Sequence, residues 1–245
     1  MSETTAQKLL SQKPIPPAER LIFALDVASP EEARRLVDTL GDSVLFYKVG
    51  LELFLSGGSF DFVDELVARG KKVFVDLKLF DVPETVKKAV RQLATRPITL
   101  TTVHGNDGLL AAAVATKGAV KILAVTVLTS LDRGDLDDLG FAVDVDRLVL
   151  SRARRALALG CDGIVSSGLE ARALREELGD KLLIVTPGIR PVENRPVDDQ
   201  KRVVTVEQAF ENGADYIVVG RPIQNAADPR QAAEAIQRSI AQLFS

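Results

Sequence analysis

Three charged residues, Asp76, Lys78 and Asp81, follow an apolar run at residues 73–75. Side chains at positions i and i+2 of a strand point to the same face, so we expect the Asp76 carboxylate and the Lys78 ammonium within reach of each other. Asp81 follows beyond the strand end. Charges at the end of an interior strand are costly unless they are paired. The pattern predicts either an active site or a surface ion pair that closes the strand.

A second group of residues is suited to binding an anion. Gly220 ends an apolar run at residues 216–219 and allows a ligand to approach the backbone. Arg221 follows with a forked cationic group that suits phosphate. The irregular segment at residues 187–203 has the length of a binding loop or lid, and its polar side chains include Arg190, Arg195, Gln200, Lys201 and Arg202. These features predict a phosphate site, with a solvated basic loop as the alternative.

Apolar runs alternate with amphipathic stretches from residue 21 to residue 245. Strands are predicted at residues 21–26, 44–49, 73–78, 98–104, 120–127, 163–166, 182–186 and 216–220. A helix follows each strand. Three of these helices begin at sequences typical of capping boxes, at Ser29/Glu32, Ser167/Glu170 and Thr205/Gln208.

This alternation determines the predicted fold class. Continuous apolar strands separated by helices indicate a parallel sheet covered by helices, an α/β fold. Eight such units match a single-domain (β/α)8 TIM barrel at residues 21–245, preceded by a peripheral N-terminal segment at residues 1–20. The alternative is a doubly wound open sheet. An open sheet of this kind usually carries a glycine-rich dinucleotide-binding loop after the first strand, where this chain has Asp26-Val27-Ala28.

A barrel would bring the polar strand ends together, because active sites of this fold lie at the carboxyl ends of the strands. Asp26 and Lys48 end the first two strands, and Asp76 and Lys78 end the third. Four charged side chains would therefore converge on one mouth. The alternative is a ring of salt bridges that closes the barrel, but such buried networks add little net stability over apolar residues.

Composition excludes several other classes of protein. The net charge is −3 with 46% hydrophobic residues, which does not suggest a nucleic-acid or membrane partner held by bulk charge. Cys161 and His104 are the only residues of their types, so neither a disulfide framework nor a cysteine-rich metal site is expected. We expect both to be structural. The N-terminus lacks an apolar signal core, and we expect a cytoplasmic protein.

Taken together, these motifs resemble the orotidine 5'-phosphate decarboxylase family. The resemblance runs from about residue 21 to the C-terminus, in the order and spacing of the family. It rests on Asp76-Leu77-Lys78 with Asp81, Asp26 in Ala-Leu-Asp, Lys48 in Tyr-Lys-Val-Gly, Thr126-Val-Leu-Thr129-Ser130, Pro187-Gly-Ile-Arg190-Pro and Gly220-Arg221-Pro222. It implies a homodimeric barrel that converts orotidine 5'-monophosphate (OMP) to UMP and CO2 in pyrimidine biosynthesis, without metal or cofactor.

The resemblance also implies roles for individual residues. The catalytic residues would be Lys48, Asp76, Lys78 and Asp81. Lys78 would be the proton donor, and Asp81 would reach the site of the other subunit. The residues that bind substrate would be Asp26, Lys48, Asp76, Thr85, Thr129, Ser130, Arg190, Gln200, Gly220 and Arg221. Of these, Asp26 and Lys48 would hold the ribose, and Thr85 would lie at the edge of the ribose across the dimer. Thr129 and Ser130 would face the pyrimidine. The phosphate would be held by Arg190, Gln200, Gly220 and Arg221.

Phe80 and Glu84 depart from the commonest family pattern beside these residues, where many relatives have His and Asn. Two other functions remain open. One is a related barrel decarboxylase, aldolase or epimerase that acts on sugar phosphates with Mg²⁺. The other is a non-catalytic protein that binds phosphoribosyl groups, in which the charged residues form a structural ion network.

Overall fold

A computed structural model of the chain describes residues 8–140, 142–190 and 203–245. In these residues, eight parallel strands follow one another around a closed barrel in which β8 pairs with β1. The strands are β1 (Leu21–Leu25), β2 (Phe46–Val49), β3 (Lys72–Leu79), β4 (Leu100–His104), β5 (Lys121–Val125), β6 (Gly163–Val165), β7 (Leu183–Thr186) and β8 (Tyr216–Val219). The predicted (β/α)8 barrel is confirmed, and the open-sheet alternative is excluded.

Helices alternate with the strands along the chain. They are α1 (Pro30–Leu40), α2 (Leu51–Leu55), α3 (Ser59–Ala68), α4 (Pro83–Leu93), α5 (Asp107–Val114), α6 (Arg133–Asp138), α7 (Val145–Ala158), α8 (Ala171–Leu178), α9 (Val206–Glu211), α10 (Arg221–Gln224) and α11 (Pro229–Leu243). The short helices α2, α6 and α10 were not predicted, because four to six residues are too few to show a helical period. The equally short α9 was predicted from its cap at Thr205 and Gln208. None of the described helices combines the length and apolar character needed to span a membrane.

Strand β1 shows why the strands are continuous apolar runs. All five of its residues are buried, because one face of the barrel wall looks inward and the other is covered by helices. Ile22 and Ala24 belong to the cluster inside the barrel, together with Phe46 and Phe74 of the next two strands. Leu21, Phe23 and Leu25 instead join the larger cluster beneath the helices.

Two of the three predicted helix caps form. The hydroxyl of Ser29 accepts the backbone N–H of Glu32, and Thr205 and Gln208 form a complete capping box. The box predicted at Ser167 and Glu170 is wrong. The Ser167 hydroxyl accepts the backbone N–H of Leu169 in a tight turn, and α8 begins only at Ala171. The Glu170 carboxylate accepts a hydrogen bond from the Ser166 hydroxyl instead.

Strand β3 is bulged where it carries its charged residues. Val75 pairs with Thr101 and Leu79 pairs with Val103, so β3 advances four residues while β4 advances two. Lys78 lies in the bulge with φ 48°, and among the described residues it is the only non-glycine residue with positive φ. Bulges of this kind redirect side chains and occur frequently beside active sites. The regular alternation assumed in the sequence prediction therefore does not continue through Lys78.

The described part of the N-terminal segment is bound to the barrel at the end opposite the charged residues. The backbone N–H of Leu9 donates to the carbonyl of Glu211, and the Ser11 hydroxyl donates to the fully buried carboxylate of Asp215. The guanidinium of Arg20 donates to the Asp215 carbonyl and lies 3.7 Å from the centre of the Phe244 ring. These contacts join the segment to the end of α9, to Asp215 just before β8 and to Phe244 after α11.

Candidate active site

An open cavity of about 400 Å³ lies at the carboxyl ends of the strands. Parallel strands in a closed barrel all end at the same rim, so residues distant in the chain become neighbours there. The cavity brings together eight of the residues predicted for the site: Asp26, Lys48, Asp76, Lys78, Thr129, Arg190, Gly220 and Arg221. Seven of these residues form three groups around the mouth, and Thr129 lies on a separate loop.

The first group joins the ends of β1 and β2. Nζ of Lys48 donates to Oδ1 of Asp26 at 2.9 Å. Lys48 is buried, whereas the Asp26 side chain is 54% exposed and faces the opening. Gly50 leaves room for the pair, because a Cβ atom at this position would lie 3.0 Å from both Asp26 Oδ1 and Lys48 Nζ. The pair presents one acceptor and one cationic donor to a ligand.

The second group surrounds the carboxylate of Asp76. Lys78 Nζ lies 2.9 Å from Oδ2 and Lys48 Nζ lies 3.7 Å from the same oxygen, while the Thr102 hydroxyl donates to Oδ1 at 2.8 Å. Burial alone would raise the pKa of Asp76, yet the two ammonium groups, with the hydrogen bonds from Lys78 and Thr102, hold that pKa below its ordinary value. The carboxylate is therefore charged at neutral pH. Lys78 is the more exposed of the two cations, with 34% of its side chain accessible.

The third group lies at the ends of β7 and β8. Arg190 is buried and its Nη1 donates to the Ile189 carbonyl at 2.9 Å, whereas Arg221 is exposed at the rim. A parallel bridge between Ile189 and Val204 joins the two ends of the irregular segment. Gly220 precedes Arg221 in the chain, has no side chain and lines the cavity with its backbone. Two arginines and open backbone are suited to a phosphate group. The predicted residues Arg195, Gln200, Lys201 and Arg202 lie outside the described residues.

The predicted pyrimidine residues divide between the cavity and the surface. Thr129 lines the cavity, whereas Ser130 is exposed and is not part of the cavity lining. Two hydrogen bonds at Thr126 hold the start of the loop that carries them. The Thr126 hydroxyl donates to the Val165 carbonyl at 2.9 Å, and Arg152 donates to the Thr126 carbonyl.

Asp81 and Thr85 do not line the cavity of their own chain. Both are exposed, and the Asp81 carboxylate accepts the backbone N–H of Val82 at 2.6 Å. The apolar side chains beside them are exposed as well, Phe80 by 67% and Val82 by 63%. The end of β3 therefore presents a carboxylate and an apolar patch to the outside of this chain.

The single histidine and the single cysteine lie outside the cavity lining. His104 ends β4, and its ring centre lies 4.8 Å from that of Phe80. Burial, with the charges of Arg152 and Lys78, lowers the pKa of His104, so the imidazole is neutral at pH 7. Cys161 is buried, and burial raises the pKa of its thiol to about 12. The thiol is protonated and therefore unreactive at neutral pH.

Sequence reasoning missed two kinds of residue in this site. The residues after β2, Gly50, Leu51 and Glu52, also line the cavity. Thr102 contacts Asp76 from the neighbouring strand. The sequence pattern that could have indicated Thr102 is a polar residue in the middle of an apolar strand. Thr102 lies two positions before the end of β4 and is fully buried. Its partner is not visible without the register between β3 and β4.

A closed (β/α)8 barrel with alternating lysine and aspartate side chains at its carboxyl rim is typical of TIM-barrel enzymes, whose active sites lie at this rim. The sequence model of the orotidine 5'-phosphate decarboxylase / HUMPS family matches residues 19–236, and the chain belongs to this family.

Individual relatives agree with this assignment. The chain is 66% identical over 236 residues to the orotidine 5'-phosphate decarboxylase of Methylococcus capsulatus, which covers 96% of this chain and 98% of the relative. It is 54% identical to that of Xanthomonas oryzae pv. oryzae, over 94% of this chain and 96% of the relative. The crystal structure of the Lactobacillus acidophilus orotidine 5'-phosphate decarboxylase superposes with a TM-score of 0.80 at 37% identity, covering 91% of this chain and 99% of that chain.

Proposed function

We propose that this protein decarboxylates OMP to UMP and CO2 in pyrimidine biosynthesis, and that residues 21–245 do so without metal or cofactor. The observation that carries the proposal is the position of Lys78, whose ammonium lies 2.9 Å from the buried carboxylate of Asp76 inside the cavity. A proton donor is thereby held beside a fixed negative charge. Family membership supports the choice of substrate.

The reaction requires a way to stabilise charge at one carbon atom. The bond between C6 and the carboxylate carbon breaks, its electron pair stays on C6, and CO2 leaves. The ring delocalises this electron pair poorly. The ammonium of Lys78 would stabilise the developing charge and then donate a proton to C6, after which the neutral amine takes a proton from solvent.

Asp76 would act on the substrate before the bond breaks. Its carboxylate is buried and charged, so a substrate carboxylate placed next to it is destabilised in the ground state. Lys48 lies 3.7 Å from the same carboxylate and would keep the cluster electrically balanced. The arrangement would favour the loss of the substrate's negative carboxylate as neutral CO2.

The remaining cavity residues would hold the parts of the substrate that do not react. Asp26 and Lys48 form a donor–acceptor pair suited to ribose hydroxyls. Thr129 would face the pyrimidine, with Ser130 at the edge of the same loop. Phosphate would be held by the residues after β7 and β8, namely Arg190, Gln200, Gly220 and Arg221. Binding energy from the phosphate would be directed to the reacting centre.

The protein would work as a homodimer in the cytoplasm. Asp81 and Thr85 lie outside the cavity of their own chain, next to the exposed apolar side chains of Phe80 and Val82. Exposed apolar patches of this kind mark interaction sites. If a second copy covered this patch, Asp81 and Thr85 of the first chain would reach the cavity of the second. Each site would then contain residues from both subunits.

In the decisive experiment, the protein is first treated with EDTA and then mixed with OMP. The loss of orotate absorbance and the release of CO2 are followed. We expect turnover without added metal. No loss of orotate absorbance, together with Mg²⁺-dependent turnover of a sugar phosphate, would favour a related sugar-phosphate barrel enzyme. Tight UMP binding without CO2 release would favour a non-catalytic phosphoribosyl-binding protein.

A further inference from the structure

The hydroxyl of Thr102 bonds to two parts of the bulge in β3. It donates to Oδ1 of Asp76 at 2.8 Å and accepts the backbone N–H of Lys78 at 2.9 Å. Thr102 is fully buried on β4 and does not line the cavity. One side-chain oxygen therefore connects the carboxylate of one site residue to the backbone of the other.

The bulge explains why this hydroxyl is needed. Between Val75 and Leu79 the regular ladder to β4 is interrupted, so the N–H of Lys78 bonds to a side chain instead of a β4 carbonyl. Lys78 also adopts φ 48°, a conformation that costs free energy for a residue with a Cβ atom. Such a conformation persists only when its surroundings hold it in place.

We propose that Thr102 is a positioning residue that holds Asp76 and Lys78 in their reactive arrangement. This inference rests on the proposed decarboxylation. Thr102 fixes the direction of the Asp76 carboxylate through Oδ1, leaving Oδ2 to Lys78 Nζ, and it anchors the backbone from which the Lys78 side chain extends. Its hydroxyl therefore controls the distance between the two charged groups without touching the substrate.

A positioning role and a merely structural role can be told apart by the kinetic constant that each one changes. The residues proposed to bind ribose and phosphate do not contact Thr102, so its loss should not weaken ground-state binding. Displacement of Asp76 would also relieve the destabilisation of bound substrate, which lowers KM. Loss of the hydroxyl should therefore reduce kcat without raising KM.

Thr101 provides a matched control on the same strand. It is also fully buried, and its hydroxyl donates to the Val75 carbonyl at 2.9 Å, away from the charged groups. Thr101→Val and Thr102→Val remove the same atoms from neighbouring buried positions. Loss of general strand stability should affect both variants, whereas loss of Lys78 positioning should affect only the second.

The experiment measures kcat and KM for OMP with wild-type protein, Thr101→Val, Thr102→Val and Thr102→Ser. Loss of a hydrogen bond to a charged group predicts that Thr102→Val lowers kcat about 10- to 100-fold with no rise in KM. Thr102→Ser, which keeps the hydroxyl, should restore kcat to within about threefold of wild type. Thr101→Val should also stay within about threefold, because its hydroxyl bonds only to backbone.

The outcomes separate this inference from the proposed function. Inactive wild-type protein would overturn the decarboxylation itself. Active wild-type protein with equal kcat values for Thr101→Val and Thr102→Val would overturn the role of Thr102 alone. Should Thr102→Val not fold, Thr102→Cys replaces it, since a thiol is a weak donor and acceptor. A Thr102→Cys variant with the kcat of Thr102→Ser would then contradict the inference.

Discussion

Nζ of Lys78 lies 2.9 Å from Oδ2 of Asp76, two residues earlier on the same bulged strand. Lys48 approaches that oxygen to 3.7 Å from β2, so one buried carboxylate is shared by two ammonium groups. Lys48 also bonds to Asp26, whereas Lys78 has no second carboxylate among its described contacts. Lys78 is therefore less tightly paired and more exposed than Lys48.

Replacement of Lys78 by alanine should abolish turnover and preserve the fold. Lys48 remains to compensate Asp76, so we expect a normal thermal transition, while removal of the proton donor lowers kcat by roughly 10⁴-fold. Lys121→Ala, at the exposed amino-terminal end of β5, is the control. Near-normal CO2 release by Lys78→Ala would refute the assigned role.

Replacement of Arg221 by alanine should act mainly on binding. The guanidinium lies at the cavity rim and is proposed to contact phosphate, so the loss of a charge-assisted bond should raise KM about 10- to 100-fold. The effect on kcat should be smaller. Steady-state kinetics with OMP measure both constants, and Arg230→Ala, which removes an exposed arginine paired with Glu234 on α11, is the control. A KM equal to that of wild type would exclude this phosphate contact.

Mixing two inactive variants tests whether sites are shared between subunits. A heterodimer of Lys78→Ala and Asp81→Ala chains would have one site with both residues intact and one with neither. Unfolding and refolding an equimolar mixture should restore about a quarter of wild-type activity, because half of the dimers are mixed and each has one working site.

The control for the mixing experiment uses two residues of the same cavity. Lys48→Ala and Lys78→Ala chains cannot complement each other, since every site in their heterodimer lacks one lysine. Activity assays before and after refolding give the comparison. Equal activities in the two mixtures would show that Asp81 does not serve the other subunit.

His104 should make stability depend on pH. Its folded pKa is lowered by burial and by the charges of Arg152 and Lys78, so the unfolded chain takes up a proton first as the pH falls. The free energy of unfolding should therefore decrease as the pH drops below about 6.5.

Nuclear magnetic resonance can measure this pKa directly, because the chain has one histidine and its imidazole signals need no assignment. The folded protein should titrate below the value found for the same residue in urea. Denaturation of His104→Gln at several pH values should show a smaller pH dependence near pH 6. A folded pKa equal to or above the unfolded value would contradict the structure.

Much of the fold was predictable because its signals are local. Apolar runs alternate with helical stretches, and the eight predicted strands each overlap an observed one. The failed cap at Ser167 shows the limit of local patterns. Its residues fit a capping box, but the hydroxyl bonds to Leu169 in a turn and Glu170 bonds to Ser166. Competing partners within a few residues decided the outcome.

Sequence alone determined which charged side chains stand at the strand ends and that a barrel would bring them together. The types and order of Asp26, Lys48, Asp76 and Lys78 were sufficient, since a closed parallel barrel places all carboxyl ends at one rim. Tertiary structure decided how they meet. The register between β3 and β4 creates the bulge, turns Lys78 to positive φ and places Thr102 against both charged residues. These contacts join residues 24 and 26 positions apart, and no local pattern encodes such a distance.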